Sequence, residues 1–142
     1  MSEHHKHRVA VRWSDFDRYG HMMNANYVEI AQEARLSFAQ AHIFPSIPTF
    51  AAFVRHLELD YKNPIAPQGL AAVEVETWVT RVGNSSFTTR QNIRVPDGPV
   101  ACEVECVQVA VDMNSGLPRP LTQEERDIIS STPSEILANS AE

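Results

Sequence analysis

The spacing of apolar residues changes along the chain, and each spacing predicts a different element. Between residues 7 and 14 apolar side chains recur at every second position, which predicts a strand with these residues on one face: Val9, Val11 and Trp13. From residue 24 to 43 the spacing becomes three or four, which predicts a long helix with one apolar face: Tyr27, Ile30, Ala31, Ala34, Phe38 and Ala41. Alanines dominate this face, so we expect another element to pack closely against it.

Four further segments have the composition of strands, and turn signals separate them: 53–61, 70–82, 86–95 and 100–113. Asp97-Gly98 is a strong tight-turn signal that makes the last two strands an antiparallel hairpin. The sequence "GNS" at 83–85 predicts a second turn. Pro45 and Pro48 cannot continue a helix, so an irregular connection is expected after the long helix.

Capping signals mark both predicted helices. Asn26 followed by Glu29 fits a capping box at the start of the long helix, with Asn24 as an alternative cap. Thr122 followed by Glu125 fits another box, which predicts a short helix over about 122–131. The order strand, long helix, four strands, short helix predicts one α+β domain over 1–142, in which an antiparallel five-stranded sheet curls around the long helix.

Bulk composition narrows the function classes. The 142 residues are 43% hydrophobic with a formal net charge of -6, which argues against a general nucleic-acid or membrane-surface binder, because both need basic patches. No apolar run approaches the roughly 20 residues that span a bilayer. The start "MSEHHKHR" lacks the hydrophobic centre of a signal peptide, so a cytoplasmic location is expected. Its histidines are interpreted as a solvated terminal cluster and not as a metal site.

Cys102 and Cys106 lie four residues apart in a predicted strand, where they share a face but stand too far apart for a direct disulfide. We expect buried free thiols. Metal binding is the second interpretation, with no other soft ligand near them in sequence.

The segment "DFDRYGHMMNANYVEIAQEAR" at 15–35 resembles the signature of hotdog-fold acyl-CoA thioesterases of the 4-hydroxybenzoyl-CoA thioesterase type. That pattern is Asp-x-Asp-x-x-Gly-His, then Asn, an aromatic, and a helix with Glu-x-x-Arg or Glu-x-Arg. "LELDYKNPI" at 57–65 and "VGNSSFTTR" at 82–90 also agree, so the resemblance covers about residues 7–121. It implies a homodimer or homotetramer that hydrolyses an acyl-CoA substrate at the subunit interface. Coenzyme A enters only as part of the substrate, and no other cofactor is implied.

Thioester hydrolysis requires a group that delivers water or attacks the carbonyl, and donors that stabilise the oxyanion. The resemblance assigns the first role to Asp17, as general base or nucleophile. The backbone N–H of Asn24, or of a neighbour in the first helical turn, can supply the second. From spacing alone, a turn or helix cap is the better interpretation of Asp17, and the resemblance reverses that preference. For Asp15 a supporting role is favoured, in loop hydrogen bonds or paired with Arg12 or Arg18.

Substrate contacts are expected from the rest of the motif. Gly20 supplies a backbone conformation or closeness that a side chain forbids. His21 could orient Asp17 or contact substrate, and a histidine that only satisfies local loop hydrogen bonds is the equal alternative. Met23 stands where many relatives have the first of two asparagines, and with Met22 it suggests an adaptable apolar wall. Tyr27 is the aromatic of the motif.

The predicted hairpin adds the remaining candidates. Ser85 and Ser86 lack a nucleophile elbow, so a turn or a ligand hydrogen bond is the preferred interpretation. Arg81 and Arg90, with Arg94, could meet coenzyme A phosphates or simply keep a strand soluble.

Two other functions are alternatives to thioester hydrolysis. A hotdog hydratase or dehydratase would use a histidine and an acid near the central helix, and His42 at the helix end is poorly placed for this. A non-catalytic acyl-binding hotdog domain is the third hypothesis. Glu33 and Arg35 are expected to have structural roles, in a salt bridge or at a subunit contact.

Overall fold

The computed structural model describes residues 4–66 and 70–132. Its elements follow the predicted order, with the bounds β1 (His5–Ala10), α1 (Asn24–His42), β2 (Ala52–Tyr61), β3 (Ala72–Val82), β4 (Ser86–Arg94), β5 (Val100–Ala110) and α2 (Gln123–Ser131). A short 3-10 turn, Trp13–Asp15, lies between β1 and α1. Within the described ranges, no helix is long and apolar enough to cross a membrane.

All five strands form one antiparallel sheet in the order β1-β3-β4-β5-β2. The helix α1 contacts β1, β3 and β4 on one face of this sheet. Ala31 and Ala34 are fully buried there, and their small side chains allow the helix backbone to approach the strands closely. The predicted α+β arrangement, a five-stranded sheet around one long helix, is confirmed.

Several local predictions are confirmed as well. Asp97 has φ +62°, and the N–H of Gly98 donates to the carbonyl of Val95 at 2.9 Å, which makes the expected tight turn between β4 and β5. Thr122 and Glu125 form both hydrogen bonds of the predicted capping box. Cys102 and Cys106 are buried free thiols.

The first strand differs from its predicted extent of 7–14. The strand ends at Ala10, and Trp13 is 92% exposed in the 3-10 turn. The Asp15 carboxylate accepts a hydrogen bond from the N–H of Arg12 at 2.6 Å. This side chain thereby offers the backbone an alternative to further sheet pairing.

The long helix also begins differently from the prediction. It starts at Asn24 with Met23 as N-cap, and no side chain caps it. The predicted cap Asn26 instead donates its amide to Asp15 Oδ1 at 2.6 Å. At the other end Ala41, which was expected on the apolar face, is exposed.

The interpretation of the early histidines as a solvated cluster is wrong for the two described members that pack on other elements. His4 stacks on Trp78 with ring centroids 4.1 Å apart. His5 Nε2 lies 3.0 Å from Ser37 Oγ, and His5 Nδ1 lies 3.2 Å from His42 Nε2. Periodicity could not reveal this, because all three contacts join the start of the chain to residues far away in sequence.

Candidate active site

The chain between β1 and α1 folds back on itself before the helix begins. The N–H of Asp17 donates to the carbonyl of His21 at 2.8 Å, and the N–H of Met23 donates to the carbonyl of Asp15 at 2.9 Å. Asp15 therefore lies beside the start of α1, whereas Asp17 lies near the tip of the turn.

The carboxylate of Asp17 is half-buried and holds this tip together. Its Oδ1 accepts hydrogen bonds from the N–H groups of Tyr19 at 2.8 Å and His21 at 3.1 Å. Oδ2 accepts no hydrogen bond from any residue in 4–66 or 70–132. One oxygen thus fixes the orientation of the carboxylate, and the other remains available to a ligand.

Gly20 and His21 complete the turn. Gly20 has φ +78°, a left-handed conformation that L residues with side chains rarely adopt. A Cβ there would meet nothing within 4 Å, so the backbone conformation and not a close approach requires the glycine. The side chain of His21 is exposed beside the same turn.

Asp15 has the supporting role expected for it. It is only 4% exposed, its Oδ1 pairs with Arg12 Nη2 at 2.9 Å, and the same oxygen accepts from Asn26. The predicted pairing with Arg12 is confirmed. The buried carboxylate ties the end of β1 to the first turn of the helix.

The helix N-terminus presents open backbone donors. The N-cap residue Met23 has no side-chain acceptor for them, and the N–H of Asn26 is used by the carbonyl of Met23 at 3.0 Å. Among the described residues nothing accepts from the N–H groups of Asn24 and Ala25. Such donors, reinforced by the helix dipole, favour negative charge.

Tyr27 lies beneath this helix start and is 3% exposed. Its ring packs edge-on against Tyr61 with centroids 5.2 Å apart, and burial raises the pKa of its hydroxyl. The Tyr61 hydroxyl donates to the Asn24 carbonyl at 3.2 Å. Within one chain Tyr27 therefore supports the helix start from the core.

The candidates on the hairpin lie at the opposite end of α1. Ser85 and Ser86 form the turn between β3 and β4, where the N–H of Gly83 donates to the Ser86 carbonyl at 2.6 Å. The next residue, Phe87, packs in the cluster around Phe38, on the last turns of the helix. A helix of 19 residues is about 28 Å long, so one chain does not bring these serines to Asp17.

The two arginine candidates lie on the strands that flank this turn. Arg90 Nη1 lies 3.1 Å from Glu105 Oε1, and Arg90 Nη2 lies 3.9 Å from Glu103 Oε1. Arg81 is exposed on β3. Arg90 is therefore already paired with carboxylates, as expected for a charge that keeps a sheet surface soluble.

A groove of about 860 Å³ lies between α1 and the edge strand β2. Its walls carry seven large apolar side chains: Leu36, Phe38, Ile43, Phe44, Phe50, Phe53 and Phe87. Neither Asp17 nor Asn24 lines it. No cluster of three or more His, Cys, Asp or Glu side chains suited to a metal ion occurs in the described part of the chain.

Arg35 is the residue of this groove whose surroundings the sequence did not reveal. It is 7% exposed, and its Nη1 donates to Gln91 Oε1 at 3.0 Å. The salt bridge offered as one interpretation is not formed with any described residue. A sequence signal for this contact did exist. Gln91 alternates in register with Phe87, Thr89 and Ile93, which face inward, so its amide is expected to lie under the helix.

An antiparallel five-stranded sheet that packs around one long helix is the hotdog arrangement. The family model of the thioesterase-like superfamily matches residues 11–138. The chain belongs to this superfamily and is a thioester hydrolase.

Individual relatives agree with this assignment. The chain is 27% identical over 123 residues to the uncharacterised protein YsmA of Bacillus subtilis (strain 168), which covers 86% of this chain and 82% of YsmA. The PA5185 protein of Pseudomonas aeruginosa PAO1 superposes with a TM-score of 0.80 at 26% identity, over 96% of each chain. A thioesterase of Thermus thermophilus, solved with coenzyme A and zinc, gives 0.74 at 28% identity, over 89% of this chain and 92% of that one.

Proposed function

We propose that the protein hydrolyses an acyl-CoA thioester to the free acid and coenzyme A, with Asp17 as general base or nucleophile. The observation that carries this is the turn preceding α1, in which an oriented carboxylate with one open oxygen precedes a helix whose first N–H groups are also open. The coenzyme A bound to the related Thermus thermophilus thioesterase supports the same thiol carrier here.

The chemistry follows from these two groups. As general base, Asp17 Oδ2 takes a proton from water while the water oxygen attacks the thioester carbonyl carbon. The carbonyl oxygen becomes an oxyanion that the N–H groups of Asn24 and Ala25 stabilise. When the tetrahedral intermediate collapses, the C–S bond breaks and the thiolate leaves with that proton. As nucleophile, the same oxygen attacks the carbonyl carbon, the C–S bond breaks and the thiolate leaves, which gives a mixed anhydride. Water then hydrolyses this anhydride to the free acid, regenerates the Asp17 carboxylate and supplies the proton that the thiolate takes up.

The working unit in this proposal is at least a homodimer. The outer edge of β2 has no neighbouring strand in the sheet, and it carries exposed Phe53, Val54 and Tyr61. Exposed apolar edges of this kind pair readily with another strand. In a two-fold antiparallel pairing centred on β2, the Tyr61 end of one strand meets the Phe53 end of the other. Asp17 of one chain then faces the groove of its partner.

That arrangement also gives the remote candidates a role. His21 and Met23 would contact the substrate beside Asp17, while Ser85, Ser86 and Arg81 would come from the other end of a partner chain.

Size-exclusion chromatography with light scattering tests the dimer. Val54→Lys, which blunts the edge, is expected to give monomers that have lost thiol release, whereas Lys6→Ala on the opposite edge strand is expected to leave the assembly intact.

The reaction is tested by following free thiol from a panel of aliphatic and aromatic acyl-CoA substrates. Asp17→Asn retains an Oδ1 acceptor for the turn but loses the carboxylate, so we expect release to fall by at least about a hundredfold.

Asp112→Asn is the matched control, because Asp112 Oδ1 also caps a turn that contains a left-handed glycine, Gly116. It is expected to leave the rate unchanged. Failure of the parent to release thiol from every substrate would overturn the reaction. An active Asp17→Asn protein would overturn the residue assignment.

A further inference from the structure

A belt of polar side chains crosses the core beneath the middle of α1. Thr77, Thr89 and Gln91 are each at most 1% exposed, and Arg35 is 7% exposed. On either side of this belt lie two separate apolar clusters, one around Ile30 and Val75 and the other around Phe38 and Phe87.

Gln91 holds the belt in a fixed geometry. Its Nε2 donates to the Ala31 carbonyl at 3.0 Å and to Thr77 Oγ1 at 3.2 Å. These two bonds leave Oε1 to accept from Arg35 Nη1. The amide therefore orients the guanidinium, but as a neutral group it does not balance its charge.

Arg35 is thus a buried cation without an anionic partner among the described residues. Burial lowers its pKa from the ordinary value, yet a guanidinium stays charged. A buried charge costs several kcal/mol unless an opposite charge meets it. Of its five N–H donors, the structure commits one, so a bidentate acceptor can still be accommodated.

Arg35 lines the groove between α1 and β2, whose other walls are largely apolar. Two carboxylates stand at its rim, but each already has a side-chain partner. Glu33 Oε2 lies 3.2 Å from His7 Nε2, and Glu29 Oε2 lies 3.8 Å from Arg12 Nη2. Both rim acids are more than half exposed, so solvent screens their effect on an anion bound deeper in the groove.

We infer that this groove binds an apolar carboxylate, such as a fatty or aryl acid, whose charged end pairs with Arg35 while its hydrocarbon lies against the phenylalanines. The buried charge of Arg35 favours a ligand with a carboxylate, and the apolar walls favour a hydrocarbon group on that carboxylate. The inference rests on the proposed function in one respect, because the proposed dimer places the partner's Asp17 against this groove and the bound acid then has the chemistry of the hydrolysis product. Its test measures binding of a free acid alone.

The test measures octanoate and its neutral analogue octan-1-ol by isothermal titration calorimetry with the full-length protein. A charge-assisted bidentate pair is about twice as strong as a neutral hydrogen bond, so we expect octanoate to bind at least about tenfold more tightly than octan-1-ol.

In Arg35→Met, which keeps the apolar stem, the two ligands should bind about equally. Replacing an unpaired buried charge by an apolar residue of similar size is compatible with folding. Arg8→Met is the matched control, because Arg8 is exposed on β1 and does not line the groove. It should retain the preference for octanoate.

Three results would overturn the inference: no binding of octanoate to the parent, equal binding of octanoate and octan-1-ol, or an unchanged preference in Arg35→Met. If Arg35→Met keeps the preference but dissociates in light scattering, the guanidinium instead serves a carboxylate of a second copy. Thiol release is not part of this measurement. A negative binding result therefore leaves the proposed hydrolysis standing, since the thiol-release assay tests that reaction separately.

Discussion

The open N-terminus of α1 leads to a prediction for Met23→Ser, which should raise the stability of the protein and lower its activity. Met23 is the N-cap, with φ -68° and ψ 143°, and it is 39% exposed. Serine adopts this backbone conformation readily, and its Oγ can accept from the N–H of the residue two positions on, Ala25. Met23→Ala serves as reference, because it loses the same methionine side chain without gaining an acceptor.

The magnitude follows from what such a cap is worth. Serine at an N-cap is typically about 1 kcal/mol more stabilising than alanine. For a chain of this size, that raises the melting temperature by about 3–5 °C. If Ala25 also donates to the oxyanion, the thioester must displace the serine hydroxyl, and the same free energy is lost from the transition state. A loss of about 1 kcal/mol slows kcat about fivefold.

Thermal unfolding followed by circular dichroism and thiol release at saturating acyl-CoA measure the two effects on the same samples. We expect Met23→Ser to melt higher and turn over more slowly than Met23→Ala. A stability gain with unchanged kcat would show that the Ala25 N–H does not stabilise the oxyanion. No stability gain would contradict the open helix start itself.

Three further predictions concern stability, measured by urea unfolding. Burial lowers the pKa values of His5 and His42, and repulsion from His42 lowers the pKa of His5 further. The unfolded state therefore binds more protons than the folded state does. Stability should then fall as the pH drops below about 6.5. The fall should be smaller in His42→Gln, and an equal fall would refute this cause. Gln91→Leu leaves Arg35 without its acceptor and should cost about 2–4 kcal/mol; a variant as stable as the parent would contradict that network. Gly20→Ala should cost about 1–2 kcal/mol from its left-handed backbone alone, because nothing lies close enough to clash; a much larger loss would reveal a contact that this backbone does not show.

The predictions that held are those whose cause lies within a few residues of chain. The turn at Asp97-Gly98 depends on the conformations those two residues allow, and the cap of α2 depends on Thr122 and Glu125 reaching each other's backbone. Alternation located the sheet strands to within a few residues, because a half-buried strand shows its two faces in its own sequence. The alanines on one face of α1 likewise predicted the surface that packs closely against the sheet.

The errors arose where the Asp15 carboxylate outcompeted a local strand or capping preference. Asn26 has the right residue type for a cap, but its amide is taken by Asp15, eleven residues earlier. Trp13 continues the alternation of β1, yet Arg12 turns back to the same carboxylate and ends the strand. Local propensity contributes about 1 kcal/mol at such positions, and one buried carboxylate with several donors outweighs it.

For the candidate site, the sequence by itself determined the chemical groups: an acidic turn with a glycine that must be left-handed, and a helix that begins directly after it. Only the tertiary structure decided how they are used. It assigned Asp15 to the core and left one oxygen of Asp17 open, and it placed Ser85 and Ser86 about a helix length away within the chain. It also buried Arg35 on Gln91 with no counter-ion among the described residues. Sequence spacing specifies which face a residue occupies, whereas its partners depend on strand order and packing, which join residues far apart in the chain.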